Sequence, residues 1–247
     1  MAEKRYINYA HRGASEYAPE NTFAAFYLGQ YMGANGIETD VRETFDGNLV
    51  LFCGEKADSL EQIAGLPGSI YDYTYEQLLQ ADFGIHKGKQ FQNEQIVLLE
   101  DFLKYFGRKE LALAIEIKVT GIEERVMEMI YRSGCREKVT ITSFILPCLE
   151  RIRGFDEKVR LGFLTTQASE ELMDKLVEKR INQYCPSVCA LDAAVIAYAR
   201  SKGLSVRAWG VRTVEDMKNV LTYDTDGMTI NFPDKLTEEL ERRYGKR

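Results

Sequence analysis

The sequence predicts an α/β fold: a (β/α)8 TIM barrel with a small inserted subdomain after the second strand. Three observations predict it. Short runs rich in Ile, Val, Leu and aromatic residues alternate with longer amphipathic segments along the 247 residues. Eight such runs can be drawn, most of them followed by a helical segment, which is the order of a parallel barrel. No glycine-rich loop follows the first run, where His11-Arg12-Gly13-Ala14-Ser15 stands instead, so a doubly wound sheet is the runner-up. The length suits one domain over 1–247.

The first expected strand is 5–10, and a helix near 21–33 follows it. Pro19-Glu20-Asn21-Thr22 reads as that helix's start, with Asn21 or Thr22 as the cap ahead of Phe23, Ala24 and Phe26. The second strand is expected at 36–41 with 48–52. Residues 54–95 then break the rhythm, far exceeding a βα loop of about 2–6 residues. They hold Leu66-Pro67-Gly68, an aromatic stretch from Tyr71 to Tyr75 and a polar stretch from Lys87 to Gln95. The expectation is an insertion with a short helix near 74–81 that covers the site, because loops at the carboxyl ends of barrel strands carry function. A helix near 99–106 and a strand at 111–117 resume the pattern. In the next helix, 121–133, Ile122, Val126, Met129 and Ile130 share one face and Glu123, Glu124 and Glu128 the other. Four strand–helix pairs complete the ring: 138–142 with 146–153, 159–164 with 168–179, 180–184 with 190–202, and 204–209 with 213–222. A final strand at 226–230 leads into a helix at 234–244.

Charged residues are 28% and hydrophobic residues 45%, ordinary for a globular chain. The net charge of -6, with scattered Lys and Arg, argues against nucleic-acid binding. No run approaches the roughly 18 apolar residues that span a bilayer. The opening run is too short and too polar for a signal-peptide core, so a cytoplasmic location is the expectation. The five cysteines are Cys53, Cys135, Cys148, Cys185 and Cys189. Their odd number and wide spacing speak against a disulfide framework. With two histidines, His11 and His86, a histidine-rich metal site is excluded.

Glu38 and Asp40 lie two apart on a strand, so both side chains share a face. Glu116 sits on another strand, with Lys118 two residues on. Carboxylates facing into a barrel need neutralising, by salt bridges or by a cation. Three acids near strand ends beside His11-Arg12-Gly13 favour the cation, and an all-oxygen donor set favours Mg²⁺ or Ca²⁺ over zinc. His11 suits general acid/base work. Arg12 can grip a phosphate with two hydrogen bonds. Metal, Arg12 and Lys118 together would stabilise a phosphoryl transition state. Trp209 is either core or an aromatic wall for a small polyol, and Phe232 is a second candidate of that kind.

The ordered set of motifs resembles the glycerophosphodiester phosphodiesterase family. It comprises His11-Arg12-Gly13, Pro19-Glu20-Asn21-Thr22, Gly36 to Val41, Asp46-Gly47, Ile115-Glu116-Ile117-Lys118, Thr142-Ser143-Phe144, Ala208-Trp209-Gly210-Val211, Asp226-Gly227 and Phe232-Pro233-Asp234. The resemblance implies hydrolysis of a small-molecule glycerophosphodiester to glycerol 3-phosphate and an alcohol. It implies a divalent ion on Glu38, Asp40 and Glu116, with Arg12 and Lys118 on the phosphate. His11 would be one of two acid/base histidines. The second histidine falls at Cys53, and its partner aspartate at Gly54. The arginine-threonine signature beyond is absent from 55–59. Either Cys53, a metal-bound water or His86 of the insertion would take the missing part. The alternative is a barrel that binds a phosphodiester or phosphorylated polyol and turns it over negligibly. Cysteine chemistry at Cys53 is a third reading, weakened by the lack of an obvious histidine partner.

Overall fold

The computed structural model describes residues 6–54, 56 and 59–245. Residue 5 of the first expected strand and residues 55, 57 and 58 of the expected insertion lie outside them. Eight parallel strands close into a barrel. They are β1 (Ile7–His11), β2 (Gly36–Glu43), β4 (Ala112–Ile117), β5 (Val139–Ser143), β6 (Arg160–Thr165), β7 (Gln183–Pro186), β8 (Ser205–Val211) and β9 (Gly227–Ile230), and β1 pairs with both β9 and β2. The run expected at 48–52 is not a stave. It forms β3 (Leu49–Leu51), which pairs antiparallel with the end of β2 (Val41↔Leu51) and extends the rim.

The helices are α1 (Phe23–Tyr31), α2 (Ser59–Ala64), α3 (Tyr75–Leu78), α4 (Leu99–Phe106), α5 (Glu123–Ser133), α6 (Leu146–Phe155), α7 (Glu170–Glu178), α8 (Ala193–Ser201), α9 (Val214–Val220) and α10 (Pro233–Tyr244). Several are shorter than the apolar pattern because a capping side chain takes the first turn's amides. Thr22 accepts from Ala25 N, Ser169 from Leu172 N, Asp192 from Val195 N and Thr213 from Asp216 N. The strand expected at 180–184 begins only at Gln183. Arg180 is left-handed (φ 55°), and the amides of Arg180 and Ile181 fold back onto Val177 and Leu176, closing α7 first. Glu123, expected in solvent, is buried, and its carboxylate accepts the Gly121 amide at 2.8 Å at the start of α5.

The core lies between staves and helices. Phe26 of α1, Phe102 and Phe106 of α4, and Val126 and Ile130 of α5 pack on Ile37, Val41, Leu113 and Ile115. Residues between β3 and α4 gather around a separate apolar cluster of Val50, Phe52, Leu60, Ile70, Leu78, Phe83 and Ile96. This seats the short helices α2 and α3 over one side of the barrel rim. Among the described residues no helix is long and apolar enough to cross a membrane. Cys53, Cys135, Cys148, Cys185 and Cys189 are all unbridged.

Candidate active site

Strand register assembles the site. Asp40 on β2 is the direct partner of Glu116 on β4, and Glu38 on β2 is the partner of His11 on β1. Alternation then turns Glu38, Asp40 and Glu116 into the barrel together, all buried, with one carboxylate oxygen of each within 4.8 Å of the others. Lys118, just past β4, places Nζ 2.8 Å from Glu116 Oε1 and 3.1 Å from Asp40 Oδ1. Arg12 places Nε 2.8 Å from Asp40 Oδ2 and Nη1 3.1 Å from Glu20 Oε2. Burial opposes charge on Asp40, but Arg12 and then Lys118 hold its carboxyl well below the usual range. Burial, then the charge of Asp40, pushes Glu38 up to about 8 and Glu116 to about 7. Arg12 and Lys118 both contact Asp40, while burial and the neighbouring carboxylate disfavour charge on Glu38 and Glu116.

That donor set fits a hard divalent cation. It is all oxygen, it is buried, and its mutual repulsion is what a cation relieves.

The turn after β1 is tight for a reason. Arg12 adopts φ 56° and Gly13 φ 83°, and the Arg12 amide donates to Glu38 O at 2.8 Å. A Cβ on Gly13 would lie 2.4 Å from the backbone carbon of Ala25, so α1 is drawn hard against this turn. His11 Nδ1 lies 2.6 Å from Asn231 Oδ1, which places the ring proton on Nδ1 and turns Nε2 toward Glu38 Oε2 at 3.8 Å. Burial, then the neighbouring Arg12 charge, lowers the His11 pKa to about 4. A neutral imidazole with Nε2 unprotonated is a proton acceptor.

Cys53 follows β3 and is buried. Its carbonyl and that of Gly54 accept from Arg42 at 2.6 and 3.0 Å. Gly54 has φ 58°, and a Cβ there would meet Arg42 Nε and the Phe52 ring at 3.0 Å. A side chain at position 54 would therefore press on Arg42 and Phe52. A cavity of about 360 Å³ opens above, lined among others by Arg12, Glu20, Cys53, His86, Lys87 and Asn231. Trp209 lies on a bulge of β8 beside Gly210 (φ 74°), where its indole donates to Cys185 O at 2.9 Å and meets Phe144 edge-on at 5.1 Å. Phe144 in turn lies 6.0 Å from Lys118 Nζ. Phe232 is elsewhere: it is buried in an apolar cluster with Ile230 and Leu236.

Sequence reasoning missed four participants. Glu20 pairs with Arg12. Asn21 donates to Asp40 Oδ2 at 3.2 Å and accepts from Thr39 at 2.7 Å, so the helix start is also a support for the acids. Asn231 orients His11. Arg207 is buried in the barrel, over the Tyr9 ring, and its charge favours ionised Glu38. Its spacing of two from Trp209 on one strand was the available signal.

The sequence pattern of the glycerophosphoryl diester phosphodiesterase family matches residues 11–235. The chain belongs to that family. Two glycerophosphodiester phosphodiesterases show the depth of the relation. The one from Caldanaerobacter subterraneus is 30% identical over 232 residues, covering 92% of this chain and 94% of the relative. The one from Bacillus altitudinis is 30% identical over 244 residues, covering 94% and 98%. The barrel also superposes on solved structures. The glycerophosphodiester phosphodiesterase of Agrobacterium tumefaciens gives a TM-score of 0.81 at 23% identity, covering 94% of this chain and 98% of that one. An Oleispira antarctica phosphodiesterase, solved with the product sn-glycerol-3-phosphate, gives 0.84 at 22%, covering 94% and 96%. At these identities the superpositions speak for the fold.

Proposed function

We propose that this member of the glycerophosphodiester phosphodiesterase family hydrolyses glycerophosphodiesters to glycerol 3-phosphate and an alcohol, using a divalent cation, Mg²⁺ or Ca²⁺. The observation that carries the reading is the convergence of Glu38, Asp40 and Glu116 with Arg12, Lys118 and His11 at the carboxyl ends of β1, β2 and β4. Glu38, Asp40 and Glu116 would hold the cation, which when bound supplies Lewis-acid polarisation of the phosphate. Arg12 and Lys118 bind the phosphate oxygens and stabilise the charge that builds on them. His11, oriented by Asn231, takes the proton of the attacking water. Phe144, which lies near Lys118, and Trp209 packed edge-on against it form the apolar wall for the glycerol carbons. Cys53 lines the cavity beside Arg12. The seat of the reaction is the cytoplasm and the substrate a small, water-soluble diester.

A second reading, a barrel that binds such a diester without turning it over, follows from what the resemblance implies, that Cys53 and Gly54 stand in place of the second histidine and its aspartate. Incubation with glycerophosphocholine and Mg²⁺ or Ca²⁺ separates the two. Release of choline and glycerol 3-phosphate supports hydrolysis. Saturable binding with no product sinks it and supports the second reading.

A further inference from the structure

We propose that His86, carried by the insertion between β3 and α4, is the acid that protonates the leaving alcohol, in place of the histidine that position 53 lacks. The inference rests on the hydrolytic reading above.

The geometry comes first. His86 is the one histidine of the chain besides His11, and His11 already has Nδ1 committed to Asn231. His86 lines the same cavity as Arg12, Cys53 and Asn231, so it faces the volume in which the phosphate and its leaving group would lie. Its side chain is exposed at the cavity wall, but its backbone is fixed. It sits in a tight turn, Ile85–Lys87, whose start is capped by Asp82 accepting from the amides of Gly84 and Ile85 at 2.8 and 2.9 Å. Lys87 fastens that turn to the β1–α1 loop, donating to Ser15 O at 2.7 Å. Gly84 packs so closely on Phe91 O that no side chain fits there. The insertion thus carries an imidazole on the wall of the cavity that Arg12 also lines, on a turn tied to the β1–α1 loop.

The surroundings agree. Glu20, which pairs with Arg12, also acts on His86 and favours its protonated form, as does the Ile63 backbone. Partial burial first and the charge of Lys87 next draw its pKa below the ordinary value, which makes the imidazolium a stronger though less populated acid. Cys53 is the competing donor, lining the cavity from a buried position.

The step balances as follows. A water oxygen forms the new bond to phosphorus and yields a proton to His11. The P–O bond to the alcohol breaks, and its electron pair stays on the departing oxygen. The His86 imidazolium gives that oxygen a proton, so a neutral alcohol leaves. His86 ends neutral and His11 protonated, and exchange with solvent restores both.

A general acid matters when the leaving group is a poor one and little when it departs readily as an anion. The test compares glycerophosphocholine with the glycerol p-nitrophenyl phosphodiester for wild type, His86→Asn and Cys53→Ser. The expected result for His86→Asn is an about 10²-fold fall in the ratio of the choline-ester rate to the p-nitrophenyl-ester rate. An unchanged ratio, with either unchanged rates or equal losses on both esters, overturns the inference and leaves hydrolysis standing. So does a fall in the ratio for Cys53→Ser alone. A wild type inactive on both esters overturns the hydrolytic reading itself.

Discussion

Arg12 owes its aim at Asp40 to a left-handed backbone that a β-carbon next door would forbid. Gly13→Ala would add that carbon 2.4 Å from Ala25 at φ 83°, so a loss of about 2–4 kcal/mol in urea unfolding is expected. A variant as stable as wild type would contradict this packing. Lys118 bridges Asp40 and Glu116. Lys118→Met should cut kcat/KM on glycerophosphocholine about 10²–10³-fold with the circular dichroism spectrum unchanged; a loss of only a few-fold would remove it from the phosphate. The acids and cations of the site were legible because strand alternation decides which side chains face inward, and Glu38, Asp40, Glu116 and Lys118 all obey it. The supports were not. Thr22 caps α1 as read, but Asn21 beside it reaches Asp40, and Asn231 reaches His11 across the ring closure between β9 and β1. Such pairings are made by the fold and leave no local pattern. Phe232 shows the converse: an aromatic residue near a strand end, read as a possible wall, lies in the apolar cluster against α10.

At the level of elements, the turn joining α6 to β6 hangs on one carboxylate. Asp156 accepts from Tyr131 Oη at 2.6 Å, Lys158 N at 2.6 Å and Val159 N at 2.8 Å, with Arg136 at 3.8 Å. Burial opposes its charge, yet these donors outweigh burial and hold its pKa below the usual value. Its stabilisation is therefore complete above the unfolded carboxylate pKa of about 3.9 and is lost as pH falls through the lower folded value. Asp156→Asn should cost about 1–3 kcal/mol at neutral pH and flatten the decline of stability below pH 4. Denaturant unfolding at several pH values checks this, and parallel curves for the two proteins would contradict it. Element order was legible from periodicity, and ends were not, because caps at Thr22, Ser169, Asp192 and Thr213 and the left-handed Arg180 decide where backbone bonding starts and stops. The run at 48–52 has strand composition, but composition does not distinguish a stave from the antiparallel β3.

Across the whole molecule, the barrel concentrates three buried acids against two cations at one mouth, and folding must bear their repulsion. A cation that binds only the folded chain stabilises it by mass action. Mg²⁺ or Ca²⁺ at about 100 times its dissociation constant should add about 2.7 kcal/mol, or roughly 5–10 °C in Tm, and Glu116→Gln should reduce the shift. The closed ring was legible from eight strand runs and their helices. That the insertion covers the site was expected from its length and place after the second strand, but no local motif in it fixes His86 on the wall of the cavity that Arg12 lines. The most direct measurement is release of glycerol 3-phosphate from glycerophosphocholine and glycerophosphoethanolamine, with Mg²⁺, with Ca²⁺ and with EDTA, for wild type and Glu38→Ala. Release that needs the cation and disappears in Glu38→Ala is the predicted result. Release that persists in EDTA, or that never exceeds the Glu38→Ala background, would contradict a metal-dependent phosphodiesterase.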